Sequence, residues 1–121
     1  MRSNRVLLVE DDSVARMLLG TILEEAGYGV VQAPDGRQAL ELLRTGERPF
    51  VILLDLKMPV MSGWEFREEQ RRDPDLAAIP VVVLSADGDL DEVCAALGAA
   101  ACFSKPIDPE SLLAKIHTLG T

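Results

Sequence analysis

Five short apolar runs, separated by segments of helical period, constrain this fold more than any other feature of the chain. They are Val6–Val9, Gly29–Ala33, Val51–Leu54, Val81–Leu84 and Ala100–Phe103. Three of them are nearly continuous in Val, Ile and Leu, without the polar alternation of a strand that shows one face to water. Strands buried on both faces of a parallel sheet read this way. A parallel sheet needs a long crossover between successive strands, and helices supply it.

The segments between the runs have legible helix ends. The first places Val14, Met17, Leu18, Thr21 and Ile22 at three- and four-residue spacing, which predicts one buried face, and Gly27 follows as a stop. The second opens after Asp35, packs through Ala39, Leu40 and Leu43, and stops near Gly46. The third opens on Ser62-Gly63-Trp64-Glu65, a capping box, is otherwise polar, and ends before Pro74. The fourth packs through Val93, Ala96 and Leu97 and stops at Gly98. The fifth has Asp108 as its cap, Pro109 in its first turn, and Leu112, Leu113 and Ile116 on its apolar face. The sum is an α/β fold of (βα)5 type, with helices on both faces of a parallel sheet.

A chain of 121 residues has room for one core, and it reads as a single domain with its core over about residues 4–118 and no output domain. No stretch approaches the roughly 18 apolar residues of a membrane span. Acids follow the first apolar run at once, unlike a secretory leader, so a cytoplasmic location is expected. Cys94 and Cys102 read as small buried hydrophobes in a reducing compartment rather than as a disulfide. With the single His117, read as a surface residue, they cannot assemble a zinc site. The formal net charge is −8 and no basic face emerges, which speaks against direct nucleic-acid binding.

In open parallel sheets, sites form beyond the carboxyl ends of the strands. The first run is followed by Glu10-Asp11-Asp12, the third by Asp55-Leu56-Lys57-Met58-Pro59, the fourth by Ser85-Ala86-Asp87, and the fifth ends in Phe103-Ser104-Lys105-Pro106. Carboxylates, a hydroxyl and an amine thus converge from distant parts of the sequence. Two carboxylates about 5 Å apart repel by roughly 3 kcal/mol at an effective dielectric near 20. A cluster of them must raise its pKa values or recruit a cation. Oxygen donors with room for water suit Mg²⁺, and a carboxylate can act as the nucleophile in aspartyl-phosphate formation. Taken singly, each piece has an ordinary reading: acids after a strand often cap the next helix, as Asp12 or Ser13 could here. Four successive strand ends carrying such residues together point to a site.

At these residues the chain resembles the receiver domains of two-component response regulators, through VLLVEDD, LLDLKMPVMSG, VVVLSA and FSKP, over about residues 4–118. The resemblance implies a flavodoxin-like three-layer sandwich with strand order 2-1-3-4-5. It implies that Asp55 accepts a phosphoryl group from the phosphohistidine of a histidine kinase or phosphotransfer protein, with Mg²⁺ as cofactor. Asp11 and Asp12 then match the acidic pair at the metal, Asp12 as the direct ligand and Asp11 through water, with Glu10 outside the shell. The backbone carbonyl of Lys57 is a further metal ligand. Lys105 contacts the phosphoryl group, with its bond to Pro106 in the cis form. Ser85 hydrogen-bonds the phosphoryl group, and Phe103 is the aromatic rotamer switch. Phosphorylation is expected to remodel the face made by helix 4, strand 5 and helix 5 for a downstream protein target or fused output domain.

Some positions tune this picture. Lys57 and Asp87 could form an ion pair at the mouth of the site, and the small Ala86 leaves access for a donor or phosphatase. Ala100 and Ala101 stand where receivers of winged-helix regulators carry acids that ion-pair a dimer, so a monomer or weak dimer is expected. Haloacid-dehalogenase-like phosphatases also use a strand-end Asp with Mg²⁺, but they carry a second Asp where this chain has Lys57. A phosphate-independent interaction module is the remaining alternative, and the presence of every matching site residue argues against it.

Overall fold

The computed structural model describes residues 4–86 and 90–120. Within them β1 (Arg5–Val9), α1 (Ser13–Glu25), β2 (Gly29–Ala33), α2 (Gly36–Arg44), β3 (Val51–Asp55), α3 (Gly63–Arg72), β4 (Val81–Ser85), α4 (Leu90–Leu97), β5 (Ala101–Ser104) and α5 (Pro109–Gly120) follow in strict alternation. All neighbouring strands pair in parallel, in the order β2-β1-β3-β4-β5. This is the (βα)5 flavodoxin-like sandwich that the sequence implies.

The near-continuous apolar runs are buried on both sides, and pleating divides their side chains between two layers. Leu7, Val9, Ile52, Leu54, Val81 and Val83 meet Leu40 and Leu43 of α2, Phe66 of α3 and Leu97 of α4. Val6, Leu8, Val51, Leu53, Val82 and Leu84 meet Leu19 and Leu23 of α1 and Leu112 and Ile116 of α5. Each such side chain contributes roughly 1.5–3 kcal/mol when removed from water. The outer strands β2 and β5 are less covered.

Three packing expectations change. The face predicted for α1 largely turns outward: Val14, Met17 and Leu18 are each more than half exposed, Thr21 is exposed, and Ile22 is half-buried. The helix carries a second apolar stripe, Leu19 and Leu23, and that stripe docks on the sheet. In α4, Ala96 is exposed while Val93 and Leu97 pack inward. The fifth strand begins at Ala101 rather than Ala100, and β3 and β4 each reach one residue further, which takes Asp55 and Ser85 into the sheet.

The capping box of α3 is present: Ser62 Oγ accepts from the Glu65 amide at 3.2 Å, and Glu65 Oε1 accepts from the Ser62 amide at 3.1 Å. The polar helix behind it is nonetheless buried along one face. Gln70 donates to the carbonyls of Leu76 and Ile79 at 2.9 and 3.0 Å. Arg67 donates to Leu97 O at 2.8 Å, to Gly98 O at 3.1 Å and to Gln70 Oε1 at 2.8 Å, and Arg71 also reaches Leu97 O. Two guanidinium groups of α3 thus satisfy the carboxyl end of α4, where cations are favoured. Burial, and then the charge of Arg71, hold the Arg67 guanidinium below its ordinary pKa.

The loop from β3 to α3 sets two backbone demands of opposite sign. A Cβ at Gly63 would lie 2.7 Å from Asp55 O and 2.8 Å from Leu56 Cα, both backbone atoms. Val60 is exposed and adopts φ 67, a left-handed conformation that a β-branched residue takes only under strain. Gly63→Ala should therefore destabilise the fold by about 1–3 kcal/mol. Val60→Gly should stabilise it by up to about 1 kcal/mol, since relief of strain exceeds the glycine entropy cost. Urea unfolding of both variants checks this, and shifts of the same sign would contradict it.

Candidate phosphoacceptor and metal site

The carboxyl ends of β1, β3, β4 and β5 lie side by side in the sheet, so the residues that end them share one edge. Asp55 is the last residue of β3 and is 4% exposed. Its Oδ1 accepts the Lys57 amide at 3.3 Å, and its Oδ2 lies 3.4 Å from Lys105 Nζ. Glu10, the first residue past β1, is 1% exposed; its Oε2 accepts from Lys105 Nζ at 3.1 Å and its Oε1 from the Asp12 amide at 3.3 Å. Lys105 follows β5, donates its amide to Ser85 O at 2.9 Å, and precedes a cis bond to Pro106, the expected geometry. One ammonium therefore bridges carboxylates from two strands.

One oxygen each from Glu10, Asp11 and Asp55 falls within 4.8 Å of the other two. Burial raises the Glu10 pKa above the ordinary carboxylate range, the charge of Asp55 adds to the shift, and the Lys105 hydrogen bond counters it. Burial alone would lower the Lys105 pKa, but the hydrogen bond to Glu10 and the charges of Asp55 and Glu10 outweigh it and hold the ammonium above its usual value. A hard divalent cation with oxygen ligands and water fits this donor set, because it would relieve the remaining like-charge crowding.

Here the acidic triplet departs from the sequence reading by one position. Asp12, expected as the direct metal ligand, is the N-cap of α1: its Oδ1 accepts from the amides of Val14 at 2.9 Å and Ala15 at 3.2 Å. Glu10, expected outside the metal shell, stands in the carboxylate cluster beside Asp11. The signal was present in the spacing. Val9 is the last paired residue of β1 and Ser13 opens α1, so the acid adjoining the strand faces the site and the acid adjoining the helix caps it.

Of the other expected residues, Lys57 and Ser85 line a cleft of about 640 Å³ together with Asp11, Met58, Trp64 and Val93, whereas Phe103 and Pro106 do not. Ser85 is buried at the end of β4, with the exposed Ala86 beside it. The Lys57 side chain is exposed. Its expected partner Asp87 lies outside the described residues. Phe103 is half-buried against the layer shared with α1 and α5.

The placement of Glu10 in the carboxylate cluster and of Asp12 at the α1 cap has a measurable consequence. Glu10→Gln and Asp11→Asn should each weaken Mg²⁺ affinity by about tenfold or more, as loss of an oxygen-ligand charge does. Asp12→Asn, which can still cap α1, should leave it within about twofold. Mg²⁺ titration followed by Trp64 fluorescence reads all three. The reverse ranking would restore Asp12 to the metal.

Comparison with known proteins agrees with this fold. The family described as the response regulator receiver domain matches residues 6–117. The chain is 38% identical over 117 residues to a probable transcriptional regulator, ycf27, of Guillardia theta, covering 95% of this chain and 44% of that protein. It is 35% identical to sporulation initiation phosphotransferase F of Bacillus subtilis, covering 93% of this chain and 90% of that one. The crystal structure of the chemotaxis response regulator CheY4 of Vibrio cholerae superimposes with a TM-score of 0.86 at 32% identity, covering 98% and 99% of the two chains. The chain spans about half the length of the transcriptional regulators it matches. It belongs to the response regulator receiver domain family.

Proposed function

We propose that this receiver domain is a phosphoacceptor switch in which Asp55 takes a phosphoryl group from the phosphohistidine of a histidine kinase or phosphotransfer protein. The observation that carries this reading is the pairing of a buried strand-end carboxylate with Lys105 beside a three-carboxylate cluster. An Asp55 oxygen attacks phosphorus while the donor imidazole nitrogen leaves. Lys105, already held between Asp55 and Glu10, meets charge as it develops on the phosphoryl oxygens. Mg²⁺ held by Glu10, Asp11, Asp55 and the Lys57 carbonyl would neutralise the same oxygens. Ser85, on the wall of the same cleft, hydrogen-bonds the new phosphoryl group. Its displacement makes room for Phe103 to turn inward, and the α4–β5–α5 face shifts population toward a partner-binding state.

The outward apolar stripe of α1 supports a protein donor. Val14, Met17 and Leu18 are exposed at helical spacing and lie within two turns of the Asp12 cap, which adjoins Asp11 of the carboxylate cluster. An exposed apolar patch of this kind marks a contact surface. Ala100 is exposed and Ala101 half-buried, at the two positions where acids would ion-pair a dimer.

Trp64 lines the cleft and reports on it. Titration with Mg²⁺ and then beryllofluoride should give a saturable fluorescence change that requires Mg²⁺ and is lost in Asp55→Asn. Acetyl phosphate should leave one phosphoryl adduct on the wild-type chain, and none on the variant. An adduct surviving in Asp55→Asn, or none in the wild type, would reject the assignment.

A further inference from the structure

The two cysteines face one another across the packing of α4 on β5. The chain reverses at Gly98, φ 61, so that Cys94, one turn before the end of α4, and Cys102, the second residue of β5, stand on adjoining segments. Alternation along β5 sends Cys102 into the layer that holds Val83, Val93, Leu97 and Ala99, and sends Phe103 to the opposite layer. Cys94 sits beside Val93 on the half-buried side of α4, its Sγ 3.9 Å from Ala99 O. The two thiols lie near enough to act on each other electrostatically, and both residues keep partial exposure. Burial, and then the neighbouring Cys94, push the Cys102 thiol up to about 12, so Cys102 is not the thiol that first meets an oxidant.

We infer that Cys94 and Cys102 are an oxidisable pair, converted by a hydroperoxide into an intramolecular disulfide that pins α4 to β5. The Cys94 sulfur attacks a peroxide oxygen, the O–O bond breaks, and Cys94 becomes a sulfenic acid as the first water leaves. The Cys102 sulfur then attacks the Cys94 sulfur, the S–O bond breaks, and the second water departs with the Cys102 proton. The two thiols together lose two electrons and two protons, and hydrogen peroxide is reduced to two waters. The bridge closes a short ring around the Gly98 turn and fixes the strand that carries Phe103. Formation of the disulfide does not depend on the phosphoacceptor role of Asp55; only its effect on switching does.

The test treats the reduced full chain with hydrogen peroxide. Intact mass, thiol count after denaturation and peptide mapping are then read. The expected product is a monomer lighter by two hydrogens, with both thiols lost, a Cys94–Cys102 cross-linked peptide, and full reversal by dithiothreitol. Cys94→Ser and Cys102→Ser should each abolish that species, whereas Asp55→Asn should form it as the wild type does. Retention of both thiols, separate oxygen adducts on the two cysteines, or links between chains in the wild type would overturn the inference.

Discussion

Like charges crowd the carboxyl edge of this sheet, and the rest of the structure is arranged to tolerate them. Glu10 and Asp55 are buried carboxylates on adjacent strands, and Asp11 places a third within reach. Such groups cannot remain ionised together at low dielectric without a counter-charge. Lys105 supplies one, and it comes from the end of β5, three strands away from β1 in the sheet. The ammonium therefore ties the edge strand to the centre of the sheet. The apolar β1, β3 and β4 provide the rigid frame that holds the carboxylates at fixed spacing, since neither layer of the core can move without opening a void.

The same crowding gives the site its chemistry. In the proposed function a second cation and an incoming phosphoryl group would change the electrostatic balance at Lys105, which is joined through its own backbone amide to Ser85 O. Charge at Asp55 is thus connected to β5 by two routes, the Lys105 side chain and the Lys105 backbone. Under the proposed reading, these routes carry the signal away from the site. The strand they reach is the shortest in the sheet and the least covered, which makes it the element most easily displaced.

Much of this was legible in the sequence, and the departures have physical causes. The strands were readable because burial on both faces leaves no polar alternation to confuse. The convergence of Asp55, Ser85 and Lys105 followed from strand-end geometry alone. Which acid of the triplet joins the carboxylate cluster was not legible, because three successive acids give no periodicity and only the exact start of α1 separates Glu10 from Asp12. The buried face of α1 was ambiguous because two apolar stripes fit the same helical period. Burial of Arg67 and Gln70 could not be read from hydropathy, since their partners are the carbonyls at the end of α4 and in the loop after α3. The left-handed Val60 breaks a local preference that no pattern in the chain announces.

Alternation along β5 gives the edge strand two differently packed faces. Phe103 faces the layer of α1 and α5, while Cys102 faces the layer of α3 and α4. Because neighbouring side chains on one strand cannot both turn to the same face, a displacement of β5 is felt in both layers at once. On the α4 side it meets a helix whose carboxyl end is held by Arg67 and Arg71 of α3, and whose first residues adjoin the cleft through Val93. Helix α4 is thus anchored at one end by α3 and bordered at the other by the site. Under the proposed reading the strand beside it would respond to charge at Asp55, and the α4–β5 seam is then where a change at the carboxylate cluster would be converted into a change of surface.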